Sequence, residues 1–361
     1  MQATSNSGIH IPGLNGLRAI AALSVMWGHV FQSTFGNWGI EGCSLPVVAD
    51  GVTMFFVISG FLITYLLLNE EQRSHKVNIA KFYMRRILRI WPIYYLYLVI
   101  AVSVASQWGD PSIGYYLLFG ANIPFIIAVG IWPIVHYWSI GVEEQFYLFW
   151  PWIVKSTHGR NKSLLAISIG ICIMWLICKW GIYLGWGHTT AYRFFAVTRF
   201  DCMMLGAVGA ILYFTGSKWF GRLTGNRPLG LICLALLIVS QLWADVVPAP
   251  IRPQVIALLS LACIMSQLHR PLINLENRVC DFVGKISYGI YVIHPLLIFL
   301  LSGLYRNIGL QLPAGLDIAV IYLLVTALTI SIAWLSYRYF ESPFLRLKSR
   351  FAIVQSRNSM E

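Results

Sequence analysis

The sequence predicts an all-α polytopic integral membrane protein, and three observations lead to that fold class. Hydrophobic residues make up 58% of the 361 residues and charged residues only 11%, whereas a soluble domain carries about 25% charged residues. The apolar runs are each about 20 residues long, which is the length of a membrane-spanning helix. They are also continuous rather than alternating, which excludes an outer-membrane barrel. The composition therefore excludes both a water-soluble globule and a disordered chain.

Ten apolar segments are predicted to span the membrane, with a boundary error of about four residues. They lie at residues 14–34, 50–69, 90–107, 138–155, 163–186, 199–215, 228–244, 253–267, 286–303 and 316–336. The stretch 115–132 is also apolar, but Asn122, Pro124 and Gly130 interrupt it. This stretch is therefore either an eleventh span or a re-entrant segment.

The distribution of Lys and Arg decides between these two topologies. With ten spans and a cytoplasmic N-terminus, 21 of the 26 basic residues lie in cytoplasmic segments and four lie outside. An eleventh span would leave only 11 inside and place 14 outside. Because cytoplasmic loops are enriched in Lys and Arg, we expect one re-entrant segment and two cytoplasmic termini. The net charge of +12 then belongs to these loops, and nucleic acid is not an expected partner.

The domain organisation is expected to be simple. Residues 1–345 form a single membrane-embedded domain, and residues 346–361 form a short basic cytoplasmic tail with no appended soluble domain. The seven cysteines are scattered and form neither a CxxC motif nor a cluster with histidine, so no metal site and no disulfide framework are predicted.

Arg18 and His29 are ionisable groups inside the first span, where such groups are costly and mark functional sites. They are 11 residues apart, so on a helix they project about 20° from the same direction with an axial separation of about 16.5 Å. A long thin ligand would fit along that face, with its anionic end at Arg18 and its reactive end at His29. The alternative is an arginine that snorkels to the surface and a histidine that only bonds a neighbouring helix.

Two further clusters carry charge. In the predicted cytoplasmic loop before residue 90, Arg85, Arg86 and Arg89 are helical neighbours, and stacked guanidinium groups suit phosphates. The alternative is a patch that binds anionic lipids. In the fourth span, Glu143 and Glu144 lie at about the depth of His29, where a carboxylate would orient an imidazole base. Alternatively, both glutamates face an aqueous vestibule.

Weaker polar features complete the set. Ser59, Gly60 and Phe61 are interpreted as a site of close helix packing. Arg199 and Asp201 form a possible ion pair. His294 is interpreted as the donor or acceptor of an interhelical hydrogen bond rather than as a catalytic group.

The ordered motifs of this chain resemble the membrane acyltransferase-3 family, bacterial O-acyltransferases of surface glycans. The resemblance covers nearly the whole chain. It is carried by Gly16-Leu17-Arg18 with His29, Phe56-x-Ile58-Ser59-Gly60-Phe61, Arg85-Arg86-x-x-Arg89-Ile90-x-Pro92, Trp138-Ser139-x-x-Val142-Glu143-Glu144-Gln145-Phe146-Tyr147, Arg199-x-Asp201, Ser287-Tyr288-x-x-Tyr291-x-x-His294-Pro295 and Glu341-x-Pro343.

The resemblance implies an enzyme of about ten spans in the bacterial inner (cytoplasmic) membrane that takes an acetyl group from cytoplasmic acetyl-CoA. It implies that Arg18 and His29 serve the donor and catalysis, and that Arg86 and Arg89 contact the phosphates of CoA. Arg85 joins the candidate donor-binding set. The candidate substrate-binding residues are Trp138, Ser139, Arg199 and Asp201.

The predicted reaction uses His29 as general base, oriented by Glu144 or Glu143, to activate a sugar hydroxyl of a cell-surface or lipid-linked glycan. A covalent acyl-histidine relay is a variant. The rival readings are a non-enzymatic transporter of glycolipid or anion, and an acyltransferase for peptidoglycan, a lipo-oligosaccharide or a small metabolite. Membrane lipids are expected partners, and the oligomeric state is left open.

Overall fold

The fold is described from a computed structural model that covers residues 9–36, 50–240, 247–248, 250–268, 271–308 and 316–352. Within these ranges the chain forms sixteen α-helices, a 3-10 turn at Val135–Tyr137 and a π-helix at Ser336–Glu341. The α-helices are α1 Leu14–Gly36, α2 Gly51–Ser74, α3 Ile79–Val104, α4 Ile113–Leu117, α5 Asn122–Ile126, α6 Trp138–Thr157, α7 Asn161–Trp186, α8 Thr190–Thr198, α9 Phe200–Phe214, α10 Lys218–Thr224, α11 Arg227–Ser240, α12 Arg252–Leu268, α13 Arg278–Lys285, α14 Ser287–Ile308, α15 Leu316–Leu335 and α16 Ser342–Ser349.

Six helical segments of the described chain are long and apolar enough to cross a membrane. They are Gly51–Ser74, Ile79–Val104, Asn161–Trp186, Thr190–Phe214, Ser287–Ile308 and Leu316–Ser349. Two predicted spans correspond to shorter apolar helices, Pro228–Ser240 and Arg252–Leu268. The all-α, multi-pass class is thus confirmed, while the count of ten spans and the side of the termini stay predictions. Residues 1–8 and 353–361 lie outside the described residues.

The interrupted apolar stretch 115–132 does not form a continuous helix. It contains the end of α4 and the whole of α5, and each of these helices is followed by a turn with a left-handed residue, Phe119 after α4 and Ala128 after α5. Tyr116 fixes this segment to α3, because its carbonyl oxygen accepts a hydrogen bond from the Tyr94 hydroxyl at 2.6 Å. The stretch therefore supplies no eleventh spanning helix, and its re-entry into the membrane stays a prediction.

Close packing between α2 and α9 depends on two glycines. A Cβ atom on Gly60 would overlap the carbonyl oxygen of Met203, and one on Gly206 would overlap that of Val57. Small residues let helix backbones approach in this way inside membranes. The packing role read from the sequence is confirmed for Gly60.

The first helix is the centre of the bundle and packs against α2, α13 and α14. At its start, the Asn15 side-chain amide donates to Asp281 at 3.2 Å. A Cβ atom on Gly284 would overlap the carbonyl oxygen of Asn15, so α13 crosses α1 in close contact. This contact brings Lys285 to the N-terminal end of α1.

The C-terminal helices close the same end of the bundle. The π-helix follows α15 directly, and α16 packs against α3. As a result, Tyr337 and Lys348 border the cavity described below.

Candidate active site

A cavity of about 190 Å³ lies between α1, α2, α3, α6 and α14. Five basic side chains from four different helices border it, namely Arg18, Arg86, Arg89, Lys285 and Lys348. Glu143 is the one carboxylate among the described residues that border the cavity. Like charges around one space repel each other, and a multiply charged anion bound there would relieve that repulsion.

The rest of the cavity is largely apolar and ends at two hydroxyl groups. Phe55, Ile58 and Leu62 of α2 form part of the apolar wall. Along α6 the cavity extends from Tyr147 to Ser139, eight residues or about 12 Å of helix. At the far end, the Ser139 and Tyr291 hydroxyls are 2.5 Å apart. The space therefore joins a cationic mouth to an apolar passage.

Arg86 has unused hydrogen-bonding capacity at the mouth. Its guanidinium carbon lies 5.8 Å from the Tyr147 ring centre and 5.7 Å from that of Phe82. Its Nε atom is buried and has no hydrogen-bond partner among the described residues. Because buried polar atoms are nearly always paired, this atom points to an acceptor supplied by a ligand.

Arg85 is separated from Arg86 and Arg89, which corrects its place in the candidate donor set. Its guanidinium group donates to Glu70 at 2.7 Å and to the Phe351 carbonyl at 2.9 Å. The physical reason is that successive helical residues point about 100° apart, so Arg85 faces the Glu70 carboxylate instead of the cavity. This pair ties α3 to the end of α2.

The imidazole of His29 contacts another imidazole rather than a carboxylate. Its Nδ1 atom lies 2.8 Å from Nε2 of His294, and the two ring centres are 5.1 Å apart. The interhelical hydrogen bond expected of His294 is thus present, and its partner is the candidate catalytic base. His136 lies beside this pair, with its ring centre 5.5 Å from that of His294.

Neither predicted glutamate contacts His29 in the described structure. Glu143 accepts hydrogen bonds from Ser59 at 3.0 Å and Tyr147 at 3.2 Å, and Glu144 accepts one from Trp91 at 3.2 Å. The expected orientation of His29 by a carboxylate is therefore wrong for this structure. Equal depth on two helices does not make their side chains face each other, and α6 directs these carboxylates toward α2 and α3.

The expected common passage for Arg18 and His29 is interrupted. Arg18 borders the cavity and His29 does not. Tyr291 borders the cavity, and its ring centre is 6.0 Å from that of His294, the partner of His29. His29 is partly exposed, but it is not among the residues that border this cavity.

The structure brings only some of the four candidate substrate-binding residues together, since the guanidinium carbon of Arg199 lies 5.7 Å from the ring centre of Trp138. Ser139 borders the cavity, whereas Trp138 stacks on Phe125 with ring centres 5.1 Å apart. Arg199 donates to the Thr53 hydroxyl at 2.8 Å. Asp201 accepts a hydrogen bond from the Gln254 side chain. The suggested ion pair between Arg199 and Asp201 is therefore wrong, because Arg199 sits at the break between α8 and α9 and its side chain turns toward α2.

Sequence reasoning did not identify Lys285, Lys348 or Tyr291 as site residues. Tyr291 lies in the family motif that begins at Ser287, and Lys285 stands two residues before that motif, so both carried a weak signal. Lys348 carried none, because only the folded chain brings α16 to the mouth of the cavity.

No cluster of three or more histidine, cysteine or acidic residues suited to a metal ion occurs in the part of the chain that the structure describes. Six cysteines of that part are free, and Cys43 lies outside it.

The fold and the cavity define a multi-pass helical membrane protein with an internal cavity bordered by basic side chains. Residues 11–338 match the family model described as an acyltransferase domain, Acyl_transf_3. The chain therefore belongs to the acyltransferase-3 family, and the resemblance found in its motifs is confirmed.

Two relatives illustrate the similarity. The chain is 28% identical to a Staphylococcus aureus (strain COL) protein provisionally named O-acetyltransferase SACOL0978, over 93% of this chain and 57% of that protein. It is 25% identical to O-acetyltransferase OatA of Staphylococcus aureus (strain NCTC 8325), over 92% of this chain and 57% of OatA. The chain thus spans less than two thirds of the length of these relatives. No solved structure matches the chain.

Proposed function

We propose that this protein is a membrane O-acetyltransferase that moves an acetyl group from cytoplasmic acetyl-CoA to a sugar hydroxyl of a cell-surface or lipid-linked glycan. The observation that carries the proposal is the cavity with five basic side chains at its mouth and an apolar passage behind them. Membership of the acyltransferase-3 family and the O-acetyltransferase names of two relatives support the reaction class.

The chemistry of the donor matches the two parts of the cavity. Acetyl-CoA carries several phosphate charges at one end and a thioester at the tip of a thin, weakly polar arm. Arg86 and Arg89 offer planar, permanently charged donors to phosphate oxygens. Lys285 and Lys348 add two more positive charges, and Arg18 lies deeper on α1. In this arrangement the arm follows the apolar wall toward Ser139.

In the proposed reaction, the acceptor reaches His29 through its exposed part, because His29 is partly exposed but does not border the donor cavity. The two substrates then enter from different sides of the membrane. The thioester then has to pass the ring of Tyr291 to reach the base, and Tyr291 is the one residue we place between the two compartments.

The proposed step conserves atoms and protons. His29 removes the proton from the sugar hydroxyl, and the oxygen attacks the thioester carbonyl. The carbon–sulfur bond breaks, CoA leaves as a thiolate, and the proton on His29 passes to that sulfur. The products are the O-acetylated sugar and CoA, and the enzyme returns to its starting state.

The anionic-lipid interpretation of the arginine loop makes a different prediction for the same residues. Lys76 and Lys81 belong to the same loop, are exposed and do not border the cavity. A lipid patch would depend on total charge near the surface, so all these residues would count equally. Of the basic residues in this loop, Arg86 and Arg89 are the two on which a donor site would depend, since both border the cavity.

Binding of radiolabelled acetyl-CoA to the full-length protein in lipid nanodiscs separates the two readings. Arg86→Ala combined with Arg89→Ala should weaken binding by about tenfold or more, because each charge-assisted hydrogen bond contributes about 1.5–3 kcal/mol. The matched control, Lys76→Ala with Lys81→Ala, removes the same charge and should bind like wild type. If both double variants changed acetyl-CoA binding equally, the basic loop would be assigned to the binding of anionic lipids instead.

Mass spectrometry of surface glycans from cells with and without the gene tests the acceptor class. We expect glycans that lose one acetyl group when the gene is deleted. If deletion of the gene removes the acetyl group only from peptidoglycan, a lipo-oligosaccharide or a small metabolite, that molecule is the acceptor instead. A transporter would instead move donor or glycolipid without releasing the free thiol of CoA, which a thiol reagent detects.

The cytoplasmic membrane of a bacterium is the location we propose, since that membrane alone faces a cytoplasmic pool of acetyl-CoA. Membrane fractionation with an antibody against the chain tests this placement.

A further inference from the structure

The contact between His29 and His294 has consequences beyond helix packing. His294 is fully buried on α14, and His29 is partly exposed on α1. A neutral imidazole has one nitrogen that donates and one that accepts. The hydrogen-bond partners of the two rings therefore determine which nitrogen of each carries the proton.

The tautomer of His294 follows from its backbone contact. Its Nδ1 atom lies 2.9 Å from the carbonyl oxygen of Ile290. A carbonyl oxygen can only accept, so Nδ1 of His294 must carry hydrogen. Pro295 follows directly and has no N–H group to donate to the carbonyl oxygen of Tyr291, four residues earlier on α14.

The tautomer of His29 follows from that of His294. With Nδ1 protonated, a neutral His294 presents a lone pair at Nε2, and the atom facing it at 2.8 Å is Nδ1 of His29. His29 must then donate from Nδ1, which leaves its Nε2 atom unprotonated. Both rings are neutral at rest because neither contacts a carboxylate and an unpaired charge is costly inside a membrane.

We propose that His294 is a positioning residue that holds His29 as the Nδ1–H tautomer, so that Nε2 of His29 is the atom that receives the acceptor's proton. This inference rests on the proposed function for its catalytic consequence, although the tautomer itself is a property of the resting protein. It replaces the carboxylate expected from the sequence with a neutral imidazole.

The proton balance of the step is unchanged by this assignment. When Nε2 of His29 takes the hydroxyl proton, the ring becomes an imidazolium whose Nδ1–H still donates to Nε2 of His294. That hydrogen bond strengthens as charge develops. The proton then leaves from Nε2 of His29 to the sulfur of CoA, and His294 keeps its own proton throughout.

A pair of variants distinguishes hydrogen bonding from packing. In His294→Gln the side-chain oxygen can still accept from Nδ1 of His29, whereas His294→Met fills similar space without a strong acceptor. We expect His294→Met to lower kcat by about 100-fold or more, which is within the range of general-base effects. The kcat of His294→Gln should be at least about tenfold higher than the kcat of His294→Met. The KM for acetyl-CoA should stay within about twofold in both, because His294 is not among the residues that border the cavity.

Ser302→Ala provides the matched control on the same helix. Ser302 is also buried, and its hydroxyl donates only to the Phe299 carbonyl of its own helix. Its removal should leave kcat unchanged. If His294→Gln and His294→Met lowered kcat equally, His294 would act only through packing, and the proposal would be overturned.

Nitrogen-15 NMR of the wild-type protein labelled at histidine tests the tautomer directly, with His29→Gln used to assign the signals. A protonated Nδ1 and an unprotonated Nε2 on His29 support the proposal, and the reverse pattern overturns it. This result does not depend on any variant folding. Absence of acetyl transfer by the wild-type protein would instead refute the proposed function while leaving the tautomer result standing.

Discussion

Nδ1 of His29 lies 2.8 Å from Nε2 of His294, which joins two helices whose contacting residues are 265 positions apart in the chain. The contact places the candidate base at the junction of α1 and α14. It also separates two roles that the sequence had combined, since Arg18 borders the cavity and His29 does not. Binding of the donor and activation of the acceptor should therefore respond to different substitutions.

Substitution of His29 tests this separation. His29→Ala should lower acetyl transfer by about 100-fold or more, as loss of a general base does. The Kd for acetyl-CoA should stay within about twofold of wild type because His29 makes no contact with the cavity. Activity and donor binding are both measured on purified protein in nanodiscs. His158→Gln, which lies beside Glu71 on the surface, is the control, and full activity of His29→Ala would remove His29 from the mechanism.

The pair formed by Arg85 and Glu70 should matter for stability rather than for the donor. The two side chains are only 12% and 2% exposed, and removing one partner of such a buried pair costs about 3–5 kcal/mol. Arg85→Ala should therefore lower the Tm of the purified protein without changing the Kd for acetyl-CoA.

A double variant, Arg85→Met with Glu70→Met, is the control for this pair. It should be more stable than Arg85→Met alone, since no unpaired carboxylate remains buried. Weakened donor binding in Arg85→Ala, at a temperature where the protein stays folded, would return Arg85 to the donor site.

Glu143 should oppose donor binding because it is the carboxylate that borders the cavity. Glu143→Gln keeps an oxygen that can accept from Ser59 and removes one negative charge beside the proposed phosphate site. We expect the Kd for acetyl-CoA to fall by about two- to tenfold at low ionic strength, with a smaller change at high salt.

Glu144→Gln is the matched control for that change. Glu144 stands next in the chain, hydrogen bonds Trp91 and does not border the cavity. Its substitution should leave the Kd unchanged. Weaker binding in Glu143→Gln would mean that the carboxylate positions the donor instead of opposing it.

Gly60→Ala should destabilise the packing of α2 on α9. Its new Cβ atom would overlap the backbone of Met203, which cannot move independently of its helix. Overpacking of this kind costs about 1–3 kcal/mol, and it should appear as a lower Tm and a lower yield of monodisperse protein. Gly170→Ala on α7 is the control, since its Cβ would meet no atom within 4 Å. Equal stability of both variants would show that α9 can shift.

Particular residues show how far the sequence alone reached. Helical spacing placed Arg18 and His29 on one side of one helix, and α1 is continuous from Leu14 to Gly36 as that spacing requires. The distribution of Lys and Arg predicted that residues 115–132 add no eleventh span, and this stretch forms no continuous helix. The same local reasoning grouped Arg85 with Arg86, because it could not know that Glu70 would stand beside only one of them.

Composition, apolar segment lengths and ordered motifs by themselves determined the membrane-embedded all-α class and the acyltransferase-3 family. These properties depend on residues near one another in the chain and on the cost of exposing polar backbone to lipid. Tertiary structure alone decided that His294 rather than a glutamate meets His29, that Lys348 joins the cavity, and that Tyr291 borders the cavity close to His294. Those contacts depend on how whole helices pack and rotate against each other, and helical periodicity within one segment carries no information about which neighbour its side chains will face.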